Sequence, residues 1–154
     1  WILHPTGSAG SGRSVRLMYL VDTSVWIHAL RPSGNPAIQS QLKPLIVNGE
    51  TAITEWILLE LMTGLTKTER PEAFLRWFLP VARLSFHAAW WEKAWQHAAQ
   101  LRQHGISPSA ADCFIATVAV EHSAVLIHCD HDFEAMKIAL PLQTLDWTTC
   151  LVSS

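Results

Sequence analysis

Short apolar runs alternate with longer segments of helical periodicity along most of the chain. The runs have the length of buried strands, and the longer segments have the spacing of helices that bury one face. The predicted strands are residues 17–21, 51–54, 82–86, 125–128 and 142–145. The predicted helices are residues 36–47, 55–66, 71–79, 87–103, 110–122 and 133–138, and Asn48-Gly49, Gly105 and Pro141 mark boundaries between elements. This alternation predicts an α/β fold: a single domain with a mostly parallel central sheet of about four to five strands and helices on both faces.

The first residues of the chain differ in composition from the rest. Residues 6–12 read Thr-Gly-Ser-Ala-Gly-Ser-Gly, which is typical of a flexible linker. They lack the long apolar core and the cleavage site of a secretory signal. We expect residues 1–17 to be a cloning remnant or a misassigned N-terminal extension, and residues 18–154 to form the domain.

Composition narrows the class of protein. The 154 residues are 49% hydrophobic and 16% charged, which predicts a globular domain with its own core. The net charge of −2 argues against a broad basic surface for duplex DNA. No apolar run approaches the ~20 residues that span a bilayer, so we expect no membrane contact. The three cysteines, Cys113, Cys129 and Cys150, lack paired spacing and indicate reduced thiols of a cytoplasmic protein.

Four carboxylates stand in strongly apolar sequence. Asp22 and Asp130 each end an apolar run, Asp112 precedes one, and Glu60 lies inside the run Trp-Ile-Leu-Leu-Glu-Leu-Met. An ionised carboxylate in such surroundings costs several kcal/mol unless a cation or hydrogen bonds compensate it. Four such acids at separate positions predict one shared cation, a divalent metal.

The predicted topology allows these acids to converge. Functional groups of an open parallel sheet gather outside the carboxyl ends of its strands. Asp22 and Asp130 directly follow predicted strands, and Asp112 opens a helix. Glu60 lies about one and a half turns into its helix, close enough to face the same edge.

Each acid also has an ordinary local explanation. Asp22 can cap the helix that follows it. Asp112 fits a capping box with Ser109, in which the acid bonds back to the cap amide. Asp130 and Asp132 can be turn residues. Glu60 has the weakest alternative, because the apolar helix offers it no obvious local partner and Lys67 is nearly two turns away.

The ligand types point to a hard cation. Carboxylates suit Mg²⁺ or Mn²⁺, whereas thiolate and imidazole select zinc or iron. His128, Cys129 and His131 suggest zinc, but no second Cys/His pair stands at usable spacing. His128 can still lie near the acids and shift the preference toward Mn²⁺.

Other catalytic chemistry has little support in the sequence. Ser24 lies in no Gly-x-Ser-x-Gly elbow, Cys113 has no evident activating cation, and a Gly-rich phosphate loop is absent. The eight tryptophans are mostly core by expectation. Trp91 and Trp95 share a helical face, which favours helix packing or a subunit interface over base stacking.

Four motifs occur in the order of a known family: Leu-Val-Asp-Thr-Ser-Val-Trp-Ile at 20–27, Ile-Leu-Leu-Glu-Leu-Met-Thr-Gly at 57–64, Gly-Ile-Ser-Pro-Ser-Ala-Ala-Asp-Cys-Phe-Ile-Ala-Thr-Val-Ala at 105–119 and Leu-Ile-His-Cys-Asp-His-Asp-Phe at 126–133. From Met18 onward the chain closely resembles the PIN-domain ribonucleases, in particular the VapC toxins of bacterial type II toxin–antitoxin systems. The resemblance assigns an acidic Mg²⁺ or Mn²⁺ site to Asp22, Glu60, Asp112 and Asp130. It assigns supporting roles to Asp132 and to Ser24, which would order Asp22. The family usually has Thr at the position of His128, in a Thr-x-Asp-x-Asp-Phe run.

The resemblance implies a metal-dependent endoribonuclease of the bacterial cytoplasm. Its implied partners are RNA, a VapB-like antitoxin and a second copy of the chain in a homodimer. Trp26 and Trp77 are the tryptophans expected to meet the antitoxin. Two alternatives stay open: a PIN-fold RNA-binding or assembly module with weak catalysis, and a metal phosphohydrolase of small phosphoesters.

Overall fold

Five strands form one parallel sheet in the structure, a computed structural model that describes residues 16–152. The strands are β1 (Tyr19–Val21), β2 (Thr51–Ile53), β3 (Ala82–Arg83), β4 (Val125–His128) and β5 (Gln143–Asp146). Their order across the sheet is β3-β2-β1-β4-β5, and every neighbouring pair is parallel. The predicted α/β class and number of strands are confirmed. The extension predicted at residues 1–17 falls almost wholly on residues 1–15, which lie outside the described residues.

Seven α-helices connect the strands within the described residues. They are α1 (Thr23–Leu30), α2 (Pro36–Val47), α3 (Glu55–Thr63), α4 (Pro71–Arg76), α5 (Trp90–Gln103), α6 (Ala110–Glu121) and α7 (His131–Met136), and a 3₁₀ helix (Thr148–Leu151) follows β5. The prediction anticipated α1 only as the helix that Asp22 would cap. It extended α4 too far, because the amides of Trp77, Phe78 and Leu79 bond three residues back in tight turns.

The central strands are buried on both faces. Leu20 and Val21 of β1 and Leu126 and Ile127 of β4 have no exposed surface, and β2 is buried along its whole length. Successive side chains of a strand point to opposite faces, so a sheet buried in this way is covered on both sides. Helices supply that cover, with Ile57 of α3 among the fully buried core residues.

Two helices end where glycine was expected to end them. Gly49 follows α2 with a φ of 66°, and Gly105 follows α5 with a φ of 77°. Side chains with a Cβ rarely adopt this left-handed conformation, which commonly terminates helices. None of the helices in residues 16–152 combines the length and the apolar character that crossing a membrane requires.

The strand order places a topological switch point between β1 and β4. The chain proceeds from β1 outward through β2 to β3, and then returns to add β4 on the other side of β1. The connections on either side of this point diverge, which opens a crevice at the carboxyl ends of the two central strands. The Asp22 amide bonds the Ile127 carbonyl at 2.9 Å, so the first candidate acid stands directly at this point.

Candidate active site

Asp22 is buried at the carboxyl end of β1, with 5% of its surface exposed. It is the N-cap of α1, and its Oδ2 accepts hydrogen bonds from the Ser24 amide at 2.9 Å and the Ser24 hydroxyl at 2.6 Å. Burial raises the pKa of Asp22, and the Glu60 charge also raises it, while the Ser24 bonds lower it. The capping interpretation is therefore confirmed, and Ser24 contacts Asp22 as predicted.

Ser24 also connects Asp22 to the end of β4. Its Oγ accepts a hydrogen bond from the Cys129 amide at 3.0 Å while donating to Asp22. The Ser24 hydroxyl therefore connects the segment after β1 to the segment after β4 through two hydrogen bonds. Ser24 helps to position both segments, because its donor and acceptor capacities are used in different directions.

Glu60 faces the same edge from α3 and has two hydrogen-bond partners. The Thr23 hydroxyl donates to Oε2, and the Trp56 indole donates to Oε1 at 3.2 Å. The expectation that Glu60 lacks a local partner is wrong, because Trp56 lies one turn earlier on the same helix. The i, i+4 spacing and the indole N–H were signals in the sequence that predict this contact. Both donors are neutral, so the carboxylate charge has no cation among these contacts.

Asp112 stands in the first turn of α6 with Ser109 as the N-cap. The Asp112 amide donates to Ser109 Oγ at 3.0 Å, and that hydroxyl donates to Asp112 Oδ2 at 2.6 Å. The predicted capping pair is present, but the carboxylate accepts from the Ser109 hydroxyl rather than from its amide. Burial raises the pKa of Asp112, and the charges of Asp130 and Asp132 raise it further against the Ser109 bonds.

Asp130 follows β4 and is the N-cap of α7. Its Oδ1 accepts a hydrogen bond from the Asp132 amide at 3.0 Å, so the predicted turn role of Asp130 is confirmed. Asp132 is exposed, whereas Asp130 is half-buried. The negative charges of Asp130 and Asp132 add to the burial that raises the pKa of Asp112, so the acids after β4 act on the acid at the start of α6.

The structure thus gathers the predicted acids into two adjoining groups. In one group, the charge of Glu60 raises the pKa of Asp22. In the other, the charges of Asp130 and Asp132 raise the pKa of Asp112. Within residues 16–152, none of the four main acids forms an ion pair with Lys, Arg or His. In the same part of the chain, no three His, Cys, Asp or Glu side chains stand where they could hold one metal ion.

His128 lies two residues before Asp130 but is not free to act as a ligand, and its effect on the preference for Mn²⁺ stays a prediction. Its side chain is completely buried. Nδ1 accepts a hydrogen bond from the Asp130 amide at 3.3 Å, and Nε2 lies 3.1 Å from Glu134 Oε1. Both ring nitrogens are therefore engaged within the protein. Sequence reasoning missed Glu134, because its contact with His128 needs the turn between β4 and α7.

The cysteines are free thiols in the structure, as predicted. Burial is the largest cause that raises the pKa of Cys129 to about 12, and burial followed by the Asp112 charge raises that of Cys113. Neither group is a thiolate near neutral pH, and a thiolate is the form that binds zinc or attacks a substrate. The raised pKa values of Cys113 and Cys129 therefore argue against zinc binding or nucleophilic attack by these thiols.

A groove of about 540 Å³ adjoins Glu60 between α1, α3 and α4. Its walls are mostly apolar, and Leu30, Leu65 and Phe74 are among them. Trp26 also borders the groove but is only 3% exposed, since its indole donates to the Val21 carbonyl at 3.0 Å. Trp26 is thus mainly a core residue with a small surface toward the groove, and its contact with a partner stays a prediction. Trp77 is 69% exposed and remains available for a partner.

Comparison with known families and sequences agrees with the motifs. The family model described as PIN domain matches residues 19–139. A VapC ribonuclease of Mycobacterium bovis and ribonuclease VapC11 of Mycobacterium tuberculosis are each 29% identical to this chain over 133 residues. Both alignments cover 82% of this chain and 96% of the relative.

Solved structures show the same fold. VapBC2 from Rickettsia felis, bound to a DNA fragment from its promoter, matches with a TM-score of 0.71 and 21% identity over 85% of this chain and 99% of that one. DNA-bound VapBC from Salmonella typhimurium matches with a TM-score of 0.69 and 21% identity over 85% of this chain and 98% of that one. At 21% sequence identity, the similarity to these two structures shows a shared fold and nothing further.

Proposed function

This chain belongs to the PIN domain family, and from that premise we propose that it is an Mg²⁺- or Mn²⁺-dependent endoribonuclease, the toxin of a VapBC-type pair. One observation carries the proposal: Asp22 and Asp130 follow the two central strands at the switch point, Glu60 adds negative charge near Asp22, and Asp112 lies under the influence of Asp130. Within residues 16–152, none of these four carboxylates forms an ion pair. The names of the relatives, which are ribonucleases matched over almost their whole length, support the choice of RNA.

The donor set fits a hard divalent cation. Asp22, Glu60, Asp112 and Asp130 offer oxygen ligands only, and Mg²⁺ and Mn²⁺ prefer oxygen. The raised pKa values of Asp22 and Asp112 reflect burial and neighbouring negative charge, which a cation would relieve. Full coordination would require side-chain movements, since no three of these groups are arranged to hold an ion as they stand. When bound, the ion would lower the pKa of a water molecule and neutralise charge on the phosphoryl oxygens.

The protein's own groups hold these acids in place. Ser24 holds Asp22, Thr23 and Trp56 hold the two oxygens of Glu60, and Ser109 holds one oxygen of Asp112. These bonds restrict the orientations of each carboxylate, and it is from these orientations that the acids would move to complete the coordination of an ion. One carboxylate of the set can accept the proton of the attacking water.

The reaction products provide the test of the proposed function. In-line attack by water that expels the 3′-oxygen leaves a 5′-phosphate and a 3′-hydroxyl. Attack by the RNA 2′-hydroxyl instead expels the 5′-oxygen and leaves a 2′,3′-cyclic phosphate. We expect the purified chain with Mg²⁺ to give only 5′-phosphate and 3′-hydroxyl ends, identified by end labelling and mass spectrometry. Cyclic phosphate ends would contradict the mechanism. Hydrolysis of p-nitrophenyl phosphate without RNA cleavage would instead support the small-phosphoester alternative.

The groove beside Glu60 fits the predicted antitoxin. We propose that an apolar antitoxin segment occupies it and that an adjoining Arg enters the acidic site, because guanidinium pairs well with carboxylates. Such an Arg would compete with the divalent ion. We expect saturating Mn²⁺ to weaken the binding of the cognate antitoxin peptide, measured by calorimetry, and replacement of its Arg by Gln to remove that dependence. Binding that is indifferent to Mn²⁺ would place the Arg outside the acidic site.

A further inference from the structure

His128 occupies an unusual position for an imidazole. It is the last residue of β4 and is completely buried, yet it lies two residues before the candidate ligand Asp130. The Asp130 amide donates to Nδ1. An N–H can donate only to a ring nitrogen without a proton, so the ring carries its proton on Nε2 and donates it to Glu134. The two contacts therefore specify one tautomer and one ring orientation.

Glu134 is held from three directions. Its Oε1 accepts from His128 and from the Thr144 hydroxyl of β5, and its Oε2 accepts from Lys137 at 3.0 Å. The Thr144 bond is the largest cause that lowers the pKa of Glu134 to about 2, with Lys137 and His128 adding to it. Glu134 is therefore a permanent acceptor near neutral pH, and β5 and α7 together hold it in front of the imidazole.

Two successive amides after β4 are bound by side chains rather than by the sheet. Ser24 Oγ accepts the Cys129 amide, and His128 Nδ1 accepts the Asp130 amide. Ser24 also bonds Asp22. The backbone direction at Asp130 thus depends on two contacts. One is made by Ser24, which also bonds Asp22, and the other is made by His128, which also bonds Glu134.

We infer that Glu134 is a positioning residue of the acidic site, acting through the His128 imidazole on the backbone of Asp130. Thr144 is the residue of β5 that keeps the Glu134 carboxylate in place. Replacing a residue that orients a metal ligand typically lowers metal affinity or activity about 10- to 100-fold. We expect an effect in this range when Glu134 is replaced. The expected effect on metal binding rests on the proposed function, whereas the effect on the imidazole and on the Asp130 amide does not.

The experiment follows the imidazole and the Asp130 amide of the full chain by NMR. Long-range ¹H–¹⁵N spectra of the wild type should show the His128 proton on Nε2. Glu134→Ala should give mixed tautomers and should accelerate exchange of the Asp130 amide at least about tenfold, because its acceptor is no longer held in one orientation. Glu134→Gln keeps an acceptor for Nε2 and should preserve the wild-type tautomer.

Lys137→Met is the matched control, because Lys137 contacts the outer Glu134 oxygen and not the imidazole. It should leave the tautomer unchanged and alter the Mn²⁺ dissociation constant, measured by calorimetry, by less than about fivefold, as for an exposed ion pair. Glu134→Ala should raise that constant by about 10- to 100-fold. If Glu134 served only in folding, Glu134→Ala would lower the melting temperature but would change neither the His128 tautomer nor the Mn²⁺ dissociation constant of the folded protein.

The outcomes separate the two proposals. A wild type that binds no Mn²⁺ would refute the metal site, and the tautomer and exchange data would still decide the positioning role. A wild-type proton on Nδ1, or unchanged Asp130 exchange in Glu134→Ala, would overturn that role. If Glu134→Ala does not fold, Thr144→Val removes one donor to Glu134 and should produce the same changes to a smaller extent.

Discussion

Removal of divalent metal with EDTA is expected to abolish RNA cleavage, and added Mg²⁺ or Mn²⁺ is expected to restore it. Water attack on a phosphodiester needs charge neutralisation at the phosphoryl oxygens, and the four acids of the site bring negative charge instead. No Lys, Arg or His within residues 16–152 pairs with these acids to supply a substitute. The measurement is the initial rate of cleavage of a fluorescent RNA in EDTA, followed by back-titration with each ion.

The fold itself should survive EDTA. Circular dichroism in the same buffers provides the control, since loss of structure would also remove activity. Folding raises the pKa of Asp22 and Asp112, so the stability that these groups contribute is present at low pH and is lost as the pH rises through their raised values. Added Mn²⁺ should therefore raise the melting temperature at neutral pH. Undiminished cleavage by a folded protein in EDTA would exclude the metal mechanism.

Replacement of one acid by its amide is expected to reduce cleavage at least about 100-fold while the protein stays folded. Asp112→Asn and Glu60→Gln are the two variants, because each removes a charged ligand and keeps the shape of the side chain. In metal-free buffer at neutral pH, Asp112→Asn should hold or raise the melting temperature, because it relieves repulsion from Asp130 and Asp132. For a domain of this size, each kcal/mol relieved corresponds to about 2–4 °C.

Glu92→Gln is the matched control for Asp112→Asn. Glu92 is also an acid in the first turn of a helix, but it is exposed on α5. The control should cleave RNA at the wild-type rate, which separates the loss of a site ligand from the loss of a helix-terminal charge. If Asp112→Asn unfolds the protein and activity per folded molecule is unchanged, Asp112 serves only as the partner of Ser109 in the capping pair.

Local sequence determined the elements and the acids that the fold brings to its switch point. Short apolar runs indicate strands, so β4 has the predicted bounds and the other strands lie within a few residues of theirs. Asp22, Asn35, Thr54 and Ser109 cap helices because a short side-chain oxygen reaches an amide two or three residues later. These effects act over a few residues and are visible in the chain itself.

Contacts between distant segments were decided only by the tertiary structure. Thr23 bonds Glu60 across 37 positions, and Cys129 bonds Ser24 across 105. Trp26 looked available for a partner, but packing against Phe78 and a bond to the Val21 carbonyl make it part of the core. The sequence suggested His128 as a metal ligand. In the structure, Glu134 and the Asp130 amide contact its two ring nitrogens, so His128 instead orients the candidate ligand Asp130. The physical reason is that the role of a polar side chain depends on which donors and acceptors surround it, and here α7, β5 and α1 supply them.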